Sequence, residues 1–555
     1  MTMEKRGTIV GAAVGDCVHV AGLLNFLRLA EEQGYCTFFL GPATSIDELM
    51  GAVLEEDPDI VAVSYRLTPE VASKLFEELE AAAQETGLAE KRYVFGGTPP
   101  VCRVAEETGF FEAVFSGHAD VDEVIAFLHG RQKKEGRVYY PDTLVERIEG
   151  KEPYPVIRHH FGLPSLERTV EGVKRIAESG VLDVISIGPD QNAQSAFFHP
   201  ERMDPTRDGA GGVPVRSRKD FEALYQASRR GNYPLMRCYS GTADVFQMAE
   251  ILLETIKNAW CAVPLCWYNV LDGRGPRPVR QSIMESQQLM RWHAEKGIPV
   301  EVNEAHHWSL RDAHDTIAVV MAYLAAYNAR AAGVTHYVAQ YMFNTPLGTS
   351  PVGDLAKMLA KIELIESLHN ENGAGKRFRS YRQVRTGLAS LAADMDVAKG
   401  QLASSILVQM AVRPHILHVV SFSEADHAAT PDDVIEACKI ARGVIRNCLY
   451  GLPDLTLDPR VRERKEELLA EAKVLLDAVS ALGAGKSADP LADPDILARA
   501  IEIGLLDAPH LKGNPSARGG LVTKMIDGTC RAVDPSTGRP ISEQERIERI
   551  FQEPH

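Results

Sequence analysis

The stretch with the most chemical content is Gly15-Asp16-Cys17-Val18-His19-Val20-Ala21-Gly22. It sets an imidazole close to an acid and a thiol, three residues ahead of a glycine. The apolar run Gly7-Thr8-Ile9-Val10-Gly11-Ala12-Ala13-Val14 precedes it, and a helical pattern from Leu23 follows it. A histidine in a strand-to-helix turn is presented outward from the carboxyl edge of a parallel sheet, where open α/β sheets bind ligands. There it can act as a lone nitrogen ligand to a metal, its other ring nitrogen held by a carboxylate. The plainer alternative is a helix start capped by Asp16.

A second polar set recurs at the ends of later apolar runs. It comprises Arg158-His159-His160, Gln194, Arg237-Cys238-Tyr239, Trp267-Tyr268-Asn269, Asn303-Glu304-Ala305-His306-His307, Gln340-Tyr341 and Arg385. Mixed polar and aromatic residues at strand ends are what a small-molecule site needs. His306 and His307 read as neighbours on a strand, so they point to opposite faces and do not share one ion. The chain has no Gly-x-Ser-x-Gly elbow and no P-loop.

These residues need elements to position them. Residues 1–130 alternate strands (7–14, 36–40, 60–65, 92–95, 113–115) with helices (23–33, 45–54, 69–85, 101–108, 121–129). The alternation predicts a doubly wound parallel sheet, Rossmann-like, of five strands. Its carboxyl-edge loops carry Asp16 to Gly22, Ser64 to Leu67, Gly96-Gly97-Thr98 and Ser116-Gly117-His118. Small residues in adjacent loops let a large flat ligand approach the backbone. Residues 131–155 are rich in charge, Gly and Pro, as at a domain joint. Eight further strands are expected at 156–160, 183–188, 235–240, 263–269, 299–303, 336–342, 381–386 and 416–422, with long amphipathic helices between them. Eight βα units fit a TIM-type (β/α)8 barrel over 156–447, with its active site at the carboxyl ends of the strands. Residues 448–555 form a C-terminal extension on that barrel.

Bulk composition narrows the function classes. The chain has 555 residues, 45% hydrophobic, with a formal net charge of −16. Such acidity argues against nucleic acid and anionic membranes as main partners. No apolar run approaches the roughly 20 residues that span a bilayer. The nine cysteines are scattered and include no Cys-x-x-Cys pair. That pattern indicates a reducing, cytoplasmic setting.

The N-terminal pattern resembles the cobalamin-binding domain of adenosylcobalamin mutases and corrinoid methyltransferases. That family has Asp-x-His-x-x-Gly after the first strand, Ser-x-Leu after the third and Gly-Gly after the fourth. Here His19-Val20-Ala21-Gly22 fits, Cys17 stands where the acid is expected, and Asp16 precedes it. Ser64-Tyr65-Arg66-Leu67 carries one extra residue. The resemblance implies that Asp16, Cys17, His19, Gly22, Ser64, Leu67, Gly96, Gly97, Thr98 and Gly117 contact cobalamin, with His19 the lower axial ligand of cobalt.

From about Val156 onward the chain resembles the large subunit of glutamate mutase (methylaspartate mutase). The tail carries the most specific match, Ala500-Ile501-Glu502-Ile503-Gly504-Leu505-Leu506-Asp507-Ala508-Pro509, then Lys524-Met525-Ile526-Asp527 and Cys530-Arg531. The resemblance implies adenosylcobalamin, a radical isomerisation and a homodimer through the barrel. The family grips a dicarboxylate with three arginines; only Arg237 falls at a matching position, with His160 and Gln194 at the other two and Arg158 nearby. Glutamine and histidine replace a bidentate arginine poorly. The expected substrate is therefore a small carboxylic or amino acid other than glutamate. Arg237, Tyr239, Tyr268 and Glu304 are the catalytic candidates, and His160, Gln194 and Asn269 join Arg237 in substrate binding. A corrinoid methyltransferase and a non-catalytic cobalamin carrier or sensor are the competing classes.

Overall fold

The computed structural model describes residues 6–116, 121–130, 140–239, 241, 243–370, 377–449 and 451–552. The chain divides into two compact units, Met1–Tyr140 and Pro141–His555.

In the first unit, strands β1 (Gly7–Val14), β2 (Tyr35–Thr44), β3 (Ile60–Tyr65), β4 (Arg92–Gly97) and β5 (Ala113–Ser116) form a sheet of order β2-β1-β3-β4-β5. Every ladder is parallel. β1 is apolar on both faces because both are covered. Val10, Ala12 and Val14 pack with Leu49, Val53, Phe76, Leu79 and Val101 from the helices 46–56, 69–85 and 99–108. Helices 21–32 and 121–128 cover the other face. Local signals set the helix starts. Ser45 and Glu48 form a reciprocal capping box, and Pro69 opens its helix at the position where a missing N–H costs nothing. The doubly wound sheet expected for residues 1–130 is present.

The second unit contains β6 (Val156–Phe161), β7 (Val184–Ile187), β8 (Leu235–Arg237), β9 (Cys261–Val263), β10 (Val300–Val302), β11 (His336–Phe343), β12 (Arg379–Thr386) and β13 (Ile416–Val419). Their parallel ladder runs β8-β7-β6-β13-β12-β11-β10-β9, a nearly closed eight-stranded barrel. The seam lies between β8 and β9. Asn258 bridges it with its side chain: Oδ1 accepts from the Cys238 N–H at 2.9 Å and Nδ2 donates to the Cys238 carbonyl at 3.2 Å. One amide thus stands in for a strand partner. The fourth strand was expected at 263–269, yet it ends at Val263. The hydrophobic run continues because Leu265, Cys266 and Trp267 are buried in the loop that follows.

Helix Leu144–Glu149 lies inside the stretch read as a joint. Leu144 and Ile148 pack on the first residues of the strands, Val156, Val184, Leu235, Val338, Tyr381 and Ile416, together with Trp260. The helix therefore plugs the barrel floor. Asp183 fixes it there by accepting from Lys151 Nζ at 2.7 Å and the Ile157 N–H at 2.8 Å.

The tail residues that looked specific without chemistry turn out to be fasteners. The Asp507 carboxylate accepts from the backbone N–H groups of Ala508, Gly519, Gly520 and Leu521 at 2.8, 3.2, 2.8 and 3.0 Å. The Cys530 N–H donates to Asp315 on the barrel helix 315–331 at 3.2 Å, and Arg531 forks onto Glu467 of the tail helix 459–482 at 2.7 and 3.1 Å. Among the described residues no helix is long and apolar enough to cross a membrane. Asp507→Ala strands four backbone donors, those of Ala508 and Leu521 buried and costly to leave unmade. We expect a loss of roughly 3 kcal/mol or more, read as a lower urea midpoint by circular dichroism.

Candidate functional site

Strand alternation sends every second side chain into the lumen. A barrel interior is ordinarily filled by branched aliphatic residues. Here the layer above the floor is polar: Arg158 and His160 (β6), Ser186 (β7), Arg237 (β8), Glu301 (β10), Gln340 (β11), Gln383 and Arg385 (β12) and His418 (β13).

Glu301 is its hub. Oε2 accepts from Trp260 Nε1 at 2.6 Å and Arg237 Nη2 at 3.1 Å, and Arg158 Nη1 lies 3.5 Å away. The Trp260 ring also lies 5.3 Å from the Arg158 guanidinium carbon and 5.4 Å from that of Arg237. Burial alone would push the Glu301 carboxyl up; Arg237 and Arg158 outweigh it and hold it below its ordinary value. The two guanidinium groups differ in what they have left. Arg158 donates from Nε to Ser186 Oγ at 2.7 Å, from Nη1 to Gln383 Oε1 at 2.6 Å and from Nη2 to His160 Nε2 at 2.9 Å. Arg237 is held at one corner only, and its buried Nε has no partner. Arg385, half-buried, makes only a long bond from Nε to the Thr386 carbonyl at 3.4 Å. Burial pulls Arg385 down to about 10, so it stays charged at neutral pH.

The other candidates sort by what they touch. Burial and the nearby guanidinium groups hold His160 neutral, and its ring lies 4.9 Å from that of His418. Gln194 Nε2 donates to the Pro189 carbonyl at 2.8 Å in the loop after β7. Tyr239 is half-buried above Arg237; burial raises its phenol, as it does that of Tyr268. Tyr268 adopts φ 64°, a costly conformation for an aromatic residue. Asp272 holds it there by accepting from the N–H groups of Tyr268 and Asn269 at 3.2 and 3.1 Å. Asn269 is spent on the same loop: Nδ2 donates to the Cys266 carbonyl and Oδ1 accepts from the Leu271 N–H.

Glu304 likewise turns into the fold. Its carboxylate accepts from the Leu265 and Cys266 N–H groups, both at 2.6 Å, and from Trp308 Nε1 at 3.1 Å. It staples the loop after β9 and touches no lumen group in these bonds. His306 and His307 lie on a short helix, Ala305–Ser309, not on a strand, and their rings sit 4.4 Å apart. Among the described residues no cluster could hold a metal ion. Sequence reasoning missed Glu301, which lies inside a strand rather than at its carboxyl end. It quoted Arg385 without a role; the inward parity of Gln383 and Arg385 is the signal that was there.

In the first unit, the turn after β1 is anchored through Cys17. Its side chain is in the core, and its carbonyl accepts from the Ala43 N–H at 3.0 Å. That anchor turns Asp16, Val18 and His19 outward. Cys17 is thus a structural residue of the turn rather than a surface contact. Helix 21–32 follows at once. At the end of β3 the buried Ser64 hydroxyl has no partner. A side chain built at Gly22 would meet nothing within 4 Å, and at Gly96 only the Phe115 carbonyl at 3.9 Å. Gly97 differs: a Cβ there would sit 2.7 Å from the Tyr65 carbonyl, so this glycine serves strand packing. Leu67 is exposed, and the Thr98 hydroxyl makes no cap bond to the helix it precedes. Gly117 lies outside the described residues.

Residues 7–125 match the family model described as the B12 binding domain. They form a B12-binding domain. Its strand order places the switch point between β1 and β3, beside His19 and Ser64. Among solved structures, a novel cobalamin-binding protein from Desulfitobacterium hafniense DCB-2 is 30% identical over 22% of this chain, with a TM-score of 0.20. The matched part spans 57% of that protein. The cobalamin-dependent S-adenosylmethionine radical enzyme OxsB is 10% identical over 80% of this chain and 57% of its own, with a TM-score of 0.19. Neither structural likeness carries weight at such scores; the domain match over 7–125 does. No curated protein matches the chain.

The edge of the B12-binding domain fits its cofactor class. An exposed imidazole, an unpartnered buried hydroxyl and two open glycine positions lie on the carboxyl side of β1, β3 and β4. In the barrel, Glu301→Gln removes the only carboxylate among the described inward-facing strand residues and leaves two buried cations uncompensated. Breaking such a pair costs about 3–5 kcal/mol. We expect a drop of that size in unfolding free energy by urea titration, and a much smaller one for Glu424→Gln at the exposed rim.

Proposed function

We propose that the chain is an adenosylcobalamin-dependent carbon-skeleton mutase acting on a small carboxylic or amino acid other than glutamate. The observation that carries this reading is Arg237, tethered by one corner and unpartnered at Nε, in a chain that also holds a B12-binding domain. When bound, adenosylcobalamin supplies a carbon radical that takes a substrate hydrogen and later returns it. His19 is the residue that would hold cobalt from below.

The chain's own residues bind and orient. Arg237 receives the substrate carboxylate on its Nε edge, a charge-assisted planar contact. Glu301 keeps that guanidinium from swinging, so little conformational freedom is lost on binding. Tyr239 and Tyr268 stay protonated and offer hydrogen bonds without adding charge. Burial also keeps the Cys238 thiol protonated, pushed up to about 12, so it is inert as a nucleophile.

Full-length protein loaded with adenosylcobalamin should give a paramagnetic cobalt signal by EPR on adding one of a panel of small acids. Methyl transfer from methylcobalamin with no such signal would instead assign a corrinoid methyltransferase. His19→Ala should shift the absorption spectrum of bound cobalamin from a histidine-ligated to a water-ligated form; an unchanged spectrum removes His19 as the ligand.

A further inference from the structure

The hydrogen-bonding state of His160 is set by its neighbour. Arg158 Nη2 lies 2.9 Å from His160 Nε2. A guanidinium group has donors only, so Nε2 must accept. The neutral ring therefore carries its proton on Nδ1. Arg158 cannot turn to relax this, because Ser186 and Gln383 hold its other two nitrogens. His160 is half-buried on the inward face of β6, and its Nδ1 makes no bond within the described residues. The strand thus presents one fixed, uncharged N–H donor to the lumen.

Charge counting limits what meets it. Arg158, Arg237 and Arg385 face inward against Glu301, and Arg385 and Glu424 at the rim act on each other electrostatically. Among these strand and rim groups one positive charge is left, enough for one carboxylate. A second carboxylate would be desolvated with a neutral donor as its partner, which compensates it poorly. Two further lumen groups are neutral and unpartnered: Gln340 Nε2, a donor, and Asn303 Oδ1, an acceptor.

We infer that the substrate is a monocarboxylate whose other end bears a neutral oxygen, as in an amide, ketone or alcohol, that accepts from the Nδ1–H of His160. The inference rests on the carboxylate reading of Arg237 given above.

The test is calorimetric, on the full chain carrying cobalamin, with two near-isosteric pairs: succinamate against succinate, and glutaramate against glutarate. The monoamide of at least one pair should bind at least about tenfold tighter than its diacid, since a site built for one polar partner rejects its analogue. His160→Phe should abolish that advantage; His160→Gln, which keeps an N–H, should retain part of it. A diacid that binds as well as its monoamide overturns this inference and leaves the carboxylate reading standing. Failure of all four probes overturns the carboxylate reading and this inference with it. Two-bond proton–nitrogen correlation spectra of histidine-labelled protein provide a second readout: a proton found on His160 Nε2 overturns the assignment without any variant.

Discussion

One buried carboxylate organises the barrel. Two arginines from one side of the seam, Arg237 on β8 and Arg158 on β6, and one indole N–H converge on a single oxygen of Glu301 on β10. Charges in such a place are expensive unless each has a partner of good geometry. That requirement accounts for much of the surrounding sequence. Trp260 is there because it gives one end a hydrogen bond and the rest of its surface to the apolar floor. Gln383 and Ser186 are there because Arg158 has donors that Glu301 cannot reach. The result is an ion cluster around Glu301 in which Arg158 is engaged at all three nitrogens and Arg237 Nε is left open.

The histidines and tyrosines above this layer behave as neutral polar groups. Burial and the nearby guanidinium groups, three at His160 and two at His418, act in the same direction, against protonation. A lumen of this kind separates its tasks, with charge recognised at the guanidinium groups and shape and polarity recognised by uncharged rings and amides. The loop after β9 serves the second task. Asp272 and Glu304 spend their carboxylates on its backbone, which keeps Tyr268 in a conformation it would not choose alone.

Much of the fold was legible because apolar periodicity reports burial directly. β1 and β3 lie where the sequence placed them, since both are covered on two faces and read as unbroken apolar runs. β9 was misplaced for the same reason: Leu265 to Trp267 are as buried as a strand without being one. The cobalamin edge was legible from His19, Ser64 and the glycines because turn chemistry is local. The barrel site was legible only as a collection of residues at strand ends. Which carboxylate pairs with which arginine depends on contacts between residues 64 and 225 positions apart, as for Arg237 with Glu301 and Arg158 with Gln383. Periodicity carries no record of those pairings. The tail is the converse case. Its residues stood out as specific, and their purpose became visible only as bonds within the tail and from the tail to one barrel helix.

The Asn258 bridge has a consequence for how the barrel moves. Elsewhere, neighbouring strands separate only by breaking several backbone bonds together. At the seam a single side-chain rotation releases both the N–H and the carbonyl of Cys238, directly beside Arg237. One backbone bond, from the Ala259 N–H to the Met236 carbonyl at 2.9 Å, crosses the seam beside that amide. The cylinder is therefore a hoop with a two-part clasp next to the guanidinium group that has an edge to spare, and hydrogen exchange at Cys238 reports the swing of one amide rather than the rupture of a sheet.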